Sequence, residues 1–208
     1  MKKQMTYLDD TEYASRNLIE LITHEERELG LLKDGLRTEE AKLRANRWDF
    51  ETSDLNDDFS DAYVQAAFGR MARAHQEAEK LKAQATALKV SIGARQIAVQ
   101  AMCGALLQIA KQGMSIVHGG LGSAPSGRSV SGIALKDIVW QARNQALHYE
   151  EGNFRRAVTD LFKQLEKSHG NEFSLTLHAN QSRAKQTITL LGWNDYALFR
   201  NDMMSLGL

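Results

Sequence analysis

The sequence predicts a mainly α-helical protein: a helical bundle with a long antiparallel helical hairpin and a small C-terminal β-hairpin. Three observations point there. Apolar residues recur at spacings of three, four and seven over two long segments. Pro125 is the only proline in 208 residues, which leaves long helices uninterrupted. Alternating and β-branched residues occur together only near the C-terminus, at Phe173-Ser-Leu-Thr-Leu and Thr187-Ile-Thr-Leu.

The first long helix is expected from about Thr11 to Arg47. Its seam holds Leu18, Ile22, Leu29, Leu32, Leu36 and Leu43, with Glu25 and Glu39 intervening and Gly30 and Gly35 weakening it. An Asp-rich stretch from Asp49 to Ser60 reads as a loop. The second long helix runs from Asp61 to about Lys111, with Tyr63, Ala67, Ala74, Leu81, Ala85, Leu88 and Ile92 at heptad-like steps. A break is expected near Ser91-Ile92-Gly93. Beyond it Ile97, Ala98, Met102, Ala105, Leu106 and Ile109 are expected in the core. Residues 118–132 are rich in glycine and serine and read as a mobile loop.

A shorter helix follows over 133–151, ended by Gly152. Asn153 is placed to cap the next one, whose apolar face is Phe154, Val158, Leu161 and Leu165. The expected β-hairpin turns across Asn180-Gln-Ser-Arg, and a short helix from Asn194 to about Met204 closes the chain. These elements divide as residues 1–57 (long helix and acidic loop), 58–170 (helical core with loop 118–132) and 171–208 (hairpin and terminal helix, packed as one unit with the core).

Composition narrows the function. The 26 basic and 26 acidic side chains cancel, so any polyanion must be held by a local patch. Cys103 is the only cysteine, in an Ala-rich apolar stretch. It reads as a small buried hydrophobe and excludes a disulfide framework. Nothing near the N-terminus reads as a signal peptide, and no run of 18 apolar residues suggests a membrane span. The expected compartment is the cytoplasm. His118 and His178 have no neighbours at metal-ligand spacing, so no metal and no cofactor are expected. The glycine-rich loop lacks G-K-[ST] and a preceding strand, which argues against a nucleotide cradle. Trp48, Trp140 and Trp193 read as packing anchors.

The helix over 133–151 carries the chemistry. Asp137, Gln141, Asn144 and His148 form one polar stripe, while Val139, Ala142 and Ala146 can face a core. His148 stands in the last turn beside Glu150 and Glu151, where the helix dipole and both carboxylates favour the imidazolium. Arg143 can hold a phosphate bidentately, and a histidine can move the proton of an RNA 2′-hydroxyl attacking its neighbouring phosphate. Arg143 and His148 diverge by ~140° around the helix axis, so a twofold pair of helices would bring both types into one cleft. Arg155 and Arg156 can extend a basic RNA-holding face, together with Gln141.

The run Arg143-Asn144-Gln145-Ala146-Leu147-His148, R-x4-H with a polar residue after the arginine, resembles the signature of HEPN domains. These are helical bundles, often dimeric, and many are metal-independent ribonucleases of toxin–antitoxin, antiphage or RNA-processing systems. The resemblance covers about residues 60–170. It implies Arg143 and His148 as catalytic and Asn144 as orienting. It also implies RNA as substrate, transfer RNA included, a homodimer as the working unit, and an antitoxin or defence-system protein as partner. A second match, Arg70 to His75, lies in a long charged helix and lacks the polar residue. Some HEPN toxins carry a tyrosine two residues after the histidine; here Glu150 takes that place. The alternative is a non-catalytic helical protein that dimerises and binds a partner through its hairpin.

Overall fold

The computed structural model describes residues 6–52 and 61–208. Helix α1 (Tyr7–Thr52) and helix α2 (Asp61–His118) form the long hairpin. Strands β1 (Ser129–Val130) and β2 (Ile133–Ala134) follow, then α3 (Leu135–His148), α4 (Arg156–His169), α5 (Ala184–Leu191) and α6 (Tyr196–Ser205). Both long helices outrun their expected ends. Residues 49–52 of the expected acidic loop are helical, and the rest of that loop lies outside the described residues. No break occurs at Ser91-Ile92-Gly93, where α2 continues. A glycine in an exposed helix costs only about 1 kcal/mol, too little to interrupt a helix anchored on both sides.

The chain divides into two compact units. One is Glu26–Gln96, drawn from α1 and α2. Leu29, Leu81, Ala85 and Ile92 are buried there, and Lys89 Nζ meets Glu40 Oε1 across the two helices at 2.8 Å. That contact holds the Glu40 carboxyl below its ordinary range, first through the hydrogen bond and then through the lysine charge. The side chains of Tyr63, Ala67, Arg70 and Ala74 lie outside the described residues.

The other unit joins the residues up to Glu25 with Ile97–Leu208. Leu8, Ser15 and Ile22 of α1 are buried at steps of seven, with Ile19 beside them. Ser15 is tolerated there because its hydroxyl donates to the Thr11 carbonyl at 2.9 Å. On α2 the buried face is Val99, Cys103, Leu106, Leu107, Ala110 and Met114. The expected core position of Ile97 is wrong: it is exposed, as are Ala98 and Ala105. By length and composition, His75–His118 is apolar enough to cross a membrane, against the expectation of no such segment. Part of that apolar character belongs to the buried face, while Val90, Ile97, Ile116 and Val117 are exposed.

α3 packs on α4 and α5, burying Leu135, Ile138, Val139, Ala142 and Gln145. α4 buries Val158, Leu161, Phe162 and Leu165; of the expected face, Phe154 precedes the helix and is half-buried, and Phe162 is added. Its N-terminus is preceded by Arg155, so Asn153 is not the cap.

The small antiparallel hairpin lies earlier than expected, between Ser129–Val130 and Ile133–Ala134. Ser131 (φ 52°) and Gly132 (φ 81°) form its tip, the two left-handed residues that a tight hairpin turn needs. The expected C-terminal strands are something else. Residues 175–180 form turns, and Thr187-Ile-Thr-Leu lies in α5. Core packing overrides the β-branched preference there. Ala184, Thr187, Ile188 and Leu191 fall at helical spacing and are buried, and the Thr187 hydroxyl donates to the Arg183 carbonyl at 3.0 Å.

The glycine-rich loop is tied down at several points. Arg128 grips Asp202 of α6 through Nε at 2.6 Å and NH2 at 2.9 Å, and Trp193 Nε1 donates to the same carboxylate at 2.8 Å. Asp202 raises the Arg128 pKa above its ordinary value, chiefly through that hydrogen bond. His118 Nε2 lies 2.8 Å from the Leu206 carbonyl, and Lys136 Nζ donates to the Ala124 carbonyl at 2.9 Å. Of the tryptophans, Trp193 is fully buried and Trp140 half-buried, whereas Trp48 is 65% exposed and does not anchor a core.

Candidate functional site

α3 begins at Leu135, just after the β1–β2 hairpin, and ends at His148, where the chain tightens into a 3₁₀ turn, Tyr149–Glu151. Gly152 then reverses the chain with φ 66°, a conformation glycine adopts without strain. The polar and apolar stripes fall as the sequence indicates. Val139 and Ala142 are buried, Asp137, Gln141, Arg143 and Asn144 are half-buried, and His148 is exposed.

Arg143 donates Nε to Gln108 Oε1 of α2 and NH1 to Asn144 Oδ1 at 3.3 Å. Asn144 in turn donates Nδ2 to Gln141 Oε1 at 3.5 Å. Arg143, Asn144, Gln141 and Gln108 thus form one half-buried polar chain. His148 stands apart from it, with Nδ1 2.6 Å from Glu151 Oε1 and its side chain 47% exposed. An imidazole held at Nδ1 by a carboxylate leaves Nε2 free in direction, the arrangement in which histidine exchanges protons with a bound group.

The neighbours of this stripe are mixed in charge. Lys111 Nζ sits over the Trp140 ring at 4.5 Å, one turn before Asn144. Tyr149 donates its hydroxyl to Glu150 at 3.0 Å, a hydrogen bond that raises its pKa. Arg155 and Arg156 are exposed where α4 begins, and Arg156 Nε is 3.4 Å from Asp160. Leu147, beside His148, is 57% exposed.

Two residues of this region were not singled out from the sequence. Gln108 orients Arg143, and its signal was a polar side chain inside an otherwise apolar stretch of α2. Gln145, inside the R-x4-H run, is 1% exposed; its Nε2 donates to the Gln181 carbonyl at 2.9 Å and its Oε1 accepts from the Arg183 amide at 2.8 Å. Arg183 is itself buried, and burial lowers its pKa while Glu172 opposes the shift. Among the described residues, no three His, Cys, Asp or Glu side chains gather as a metal-ligand cluster. The chain matches no family model, no curated protein and no solved structure.

Proposed function

We propose that this protein is a HEPN-like, metal-independent RNA endonuclease acting as a homodimer in toxin–antitoxin or antiphage defence. The observation that carries the reading is α3 itself. It presents a guanidinium braced by Gln108 and Asn144, and at its exposed end a histidine oriented by Glu151. His148 takes the proton of the 2′-hydroxyl as that oxygen attacks the adjacent phosphorus, and a histidine returns a proton to the departing 5′-oxygen. Arg143 stabilises the charge that grows on the phosphorane oxygens. Bracing matters because a guanidinium already oriented needs little reorganisation when that charge appears.

One helix does not aim both groups at one atom, so the working cleft is formed by two copies of α3 about a twofold axis. The exposed Leu147 and half-buried Trp140 supply apolar surface for such a contact. Arg155 and Arg156 hold flanking phosphates.

The test is incubation of the purified protein with total RNA and transfer RNA in excess chelator, beside His148→Ala. RNA cut by the wild type and spared by the variant supports the reading. Intact RNA in every lane favours the interaction-protein alternative.

A further inference from the structure

Two left-handed residues face each other next to His148. Gly152 has φ 66° and Asn180 has φ 55°. A Cβ added at Gly152 would lie 2.9 Å from Asn180 Oδ1. The same stretch is latched to α3 at Gln145, which bonds the Gln181 carbonyl and the Arg183 amide. Gln145 is one turn before His148, and Gly152 follows the 3₁₀ turn after it. The Asn180–Arg183 turn therefore touches the chain on both sides of His148. Arg183 stiffens it from within, donating NH2 to Gln181 Oε1 at 2.7 Å, and ties it to the preceding segment, donating NH1 to the Glu172 carbonyl at 3.2 Å. Asparagine is among the non-glycine residues that adopt a positive φ readily, so the turn holds this shape at little cost.

We infer that the Asn180–Arg183 turn, latched by Gln145, is a brace that positions His148, and that Gln145 and Gly152 are positioning residues for the reaction. The inference rests on the ribonuclease reading of α3. A solvent-exposed histidine at a helix end would otherwise sample several orientations, and loss of about 1 Å in placement costs on the order of a hundredfold in rate. Gln145→Leu keeps the bulk and removes both latching bonds. Gly152→Ala strains a left-handed backbone and pushes the Asn180 side-chain oxygen aside.

The experiment measures kcat and KM for RNA cleavage and, separately, the imidazole resonances of His148 by NMR. It compares wild type, Gln145→Leu, Gly152→Ala and a core control, Phe199→Leu, at a temperature where all are folded. The brace predicts kcat lowered about 10- to 100-fold in the first two variants with KM little changed, and shifted or broadened His148 signals. The core control moves neither. Wild-type kcat, or unmoved His148 resonances, in both brace variants overturns the inference. If the wild type itself leaves RNA intact, the ribonuclease reading fails, while the His148 resonances still decide the brace. Should Gln145→Leu fail to fold, Gly152→Ala carries the comparison.

Discussion

Arg143 and His148 leave α3 toward different neighbours: Arg143 toward Gln108 of α2, and His148 toward Glu151 in the turn that follows. On this divergence rests the proposed composite, twofold cleft. Light scattering should give a dimer mass at micromolar concentration, and Trp140→Glu should weaken both association and cleavage at least about tenfold. Mixing inactive Arg143→Ala and His148→Ala chains should restore part of the activity. A monomer that cuts RNA at full rate contradicts the shared cleft.

Substitutions along the polar chain should rank by what they remove. Arg143→Ala and His148→Ala each remove a group acting in the transition state and should lower kcat by on the order of a hundredfold or more. Gln108→Leu leaves the guanidinium and removes its orientation, so its loss should be smaller, about tenfold. Cleavage rates under single-turnover conditions check the ranking, which fails if Gln108→Leu is as severe as Arg143→Ala.

The glycine-rich loop depends on Arg128, and Asp202 depends on Arg128 in return. Arg128→Ala leaves the Asp202 carboxylate, with a side chain only 6% exposed, facing Trp193 without its guanidinium. A buried carboxylate losing its charged partner costs about 1–3 kcal/mol, and the half-exposed arginine argues for the lower end. Urea unfolding should show that loss. Asp202→Asn should cost less, because an amide tolerates burial without a counter-charge.

Within the Glu26–Gln96 unit, Glu40 is held below its ordinary value by Lys89. A depressed carboxyl contributes stability above its unfolded value, and that contribution disappears as pH falls through the folded value. Wild type should therefore be slightly more stable than Glu40→Gln at pH 7, and the difference should vanish in acid well below the ordinary Glu value of ~4.3. Urea midpoints at the two pH values check this. A difference that grows in acid contradicts the assignment.

The helical parts were legible because their signals are periodic. Ile22 and Leu29 of the expected seam are buried seven residues apart, and the face of α4 from Val158 to Leu165 keeps steps of three and four. Asn144, Gln141 and Arg143 sit together as the helical wheel of α3 requires. The C-terminal segment departs from its expected strands because the β-branched Thr187, Ile188 and Thr189 suggest a strand, whereas the spacing of Ala184, Thr187, Ile188 and Leu191 is helical. The hairpin tip at Ser131-Gly132 was hidden in a composition that reads as flexible loop. Gln108 and Gln145 were invisible for a different reason. Their roles depend on Arg143 and on the turn ahead of α5, partners 35 and 36–38 residues away that periodicity cannot assign.

The most direct measurement is the chemistry of the cut ends. RNA and a DNA of matched sequence are incubated with wild-type protein in excess EDTA, and the products are analysed by mass. Attack by the 2′-hydroxyl predicts RNA fragments ending in 2′,3′-cyclic phosphate and DNA left intact, since DNA lacks the nucleophile. Cleavage that stops on chelation, or equal cleavage of DNA, contradicts the account.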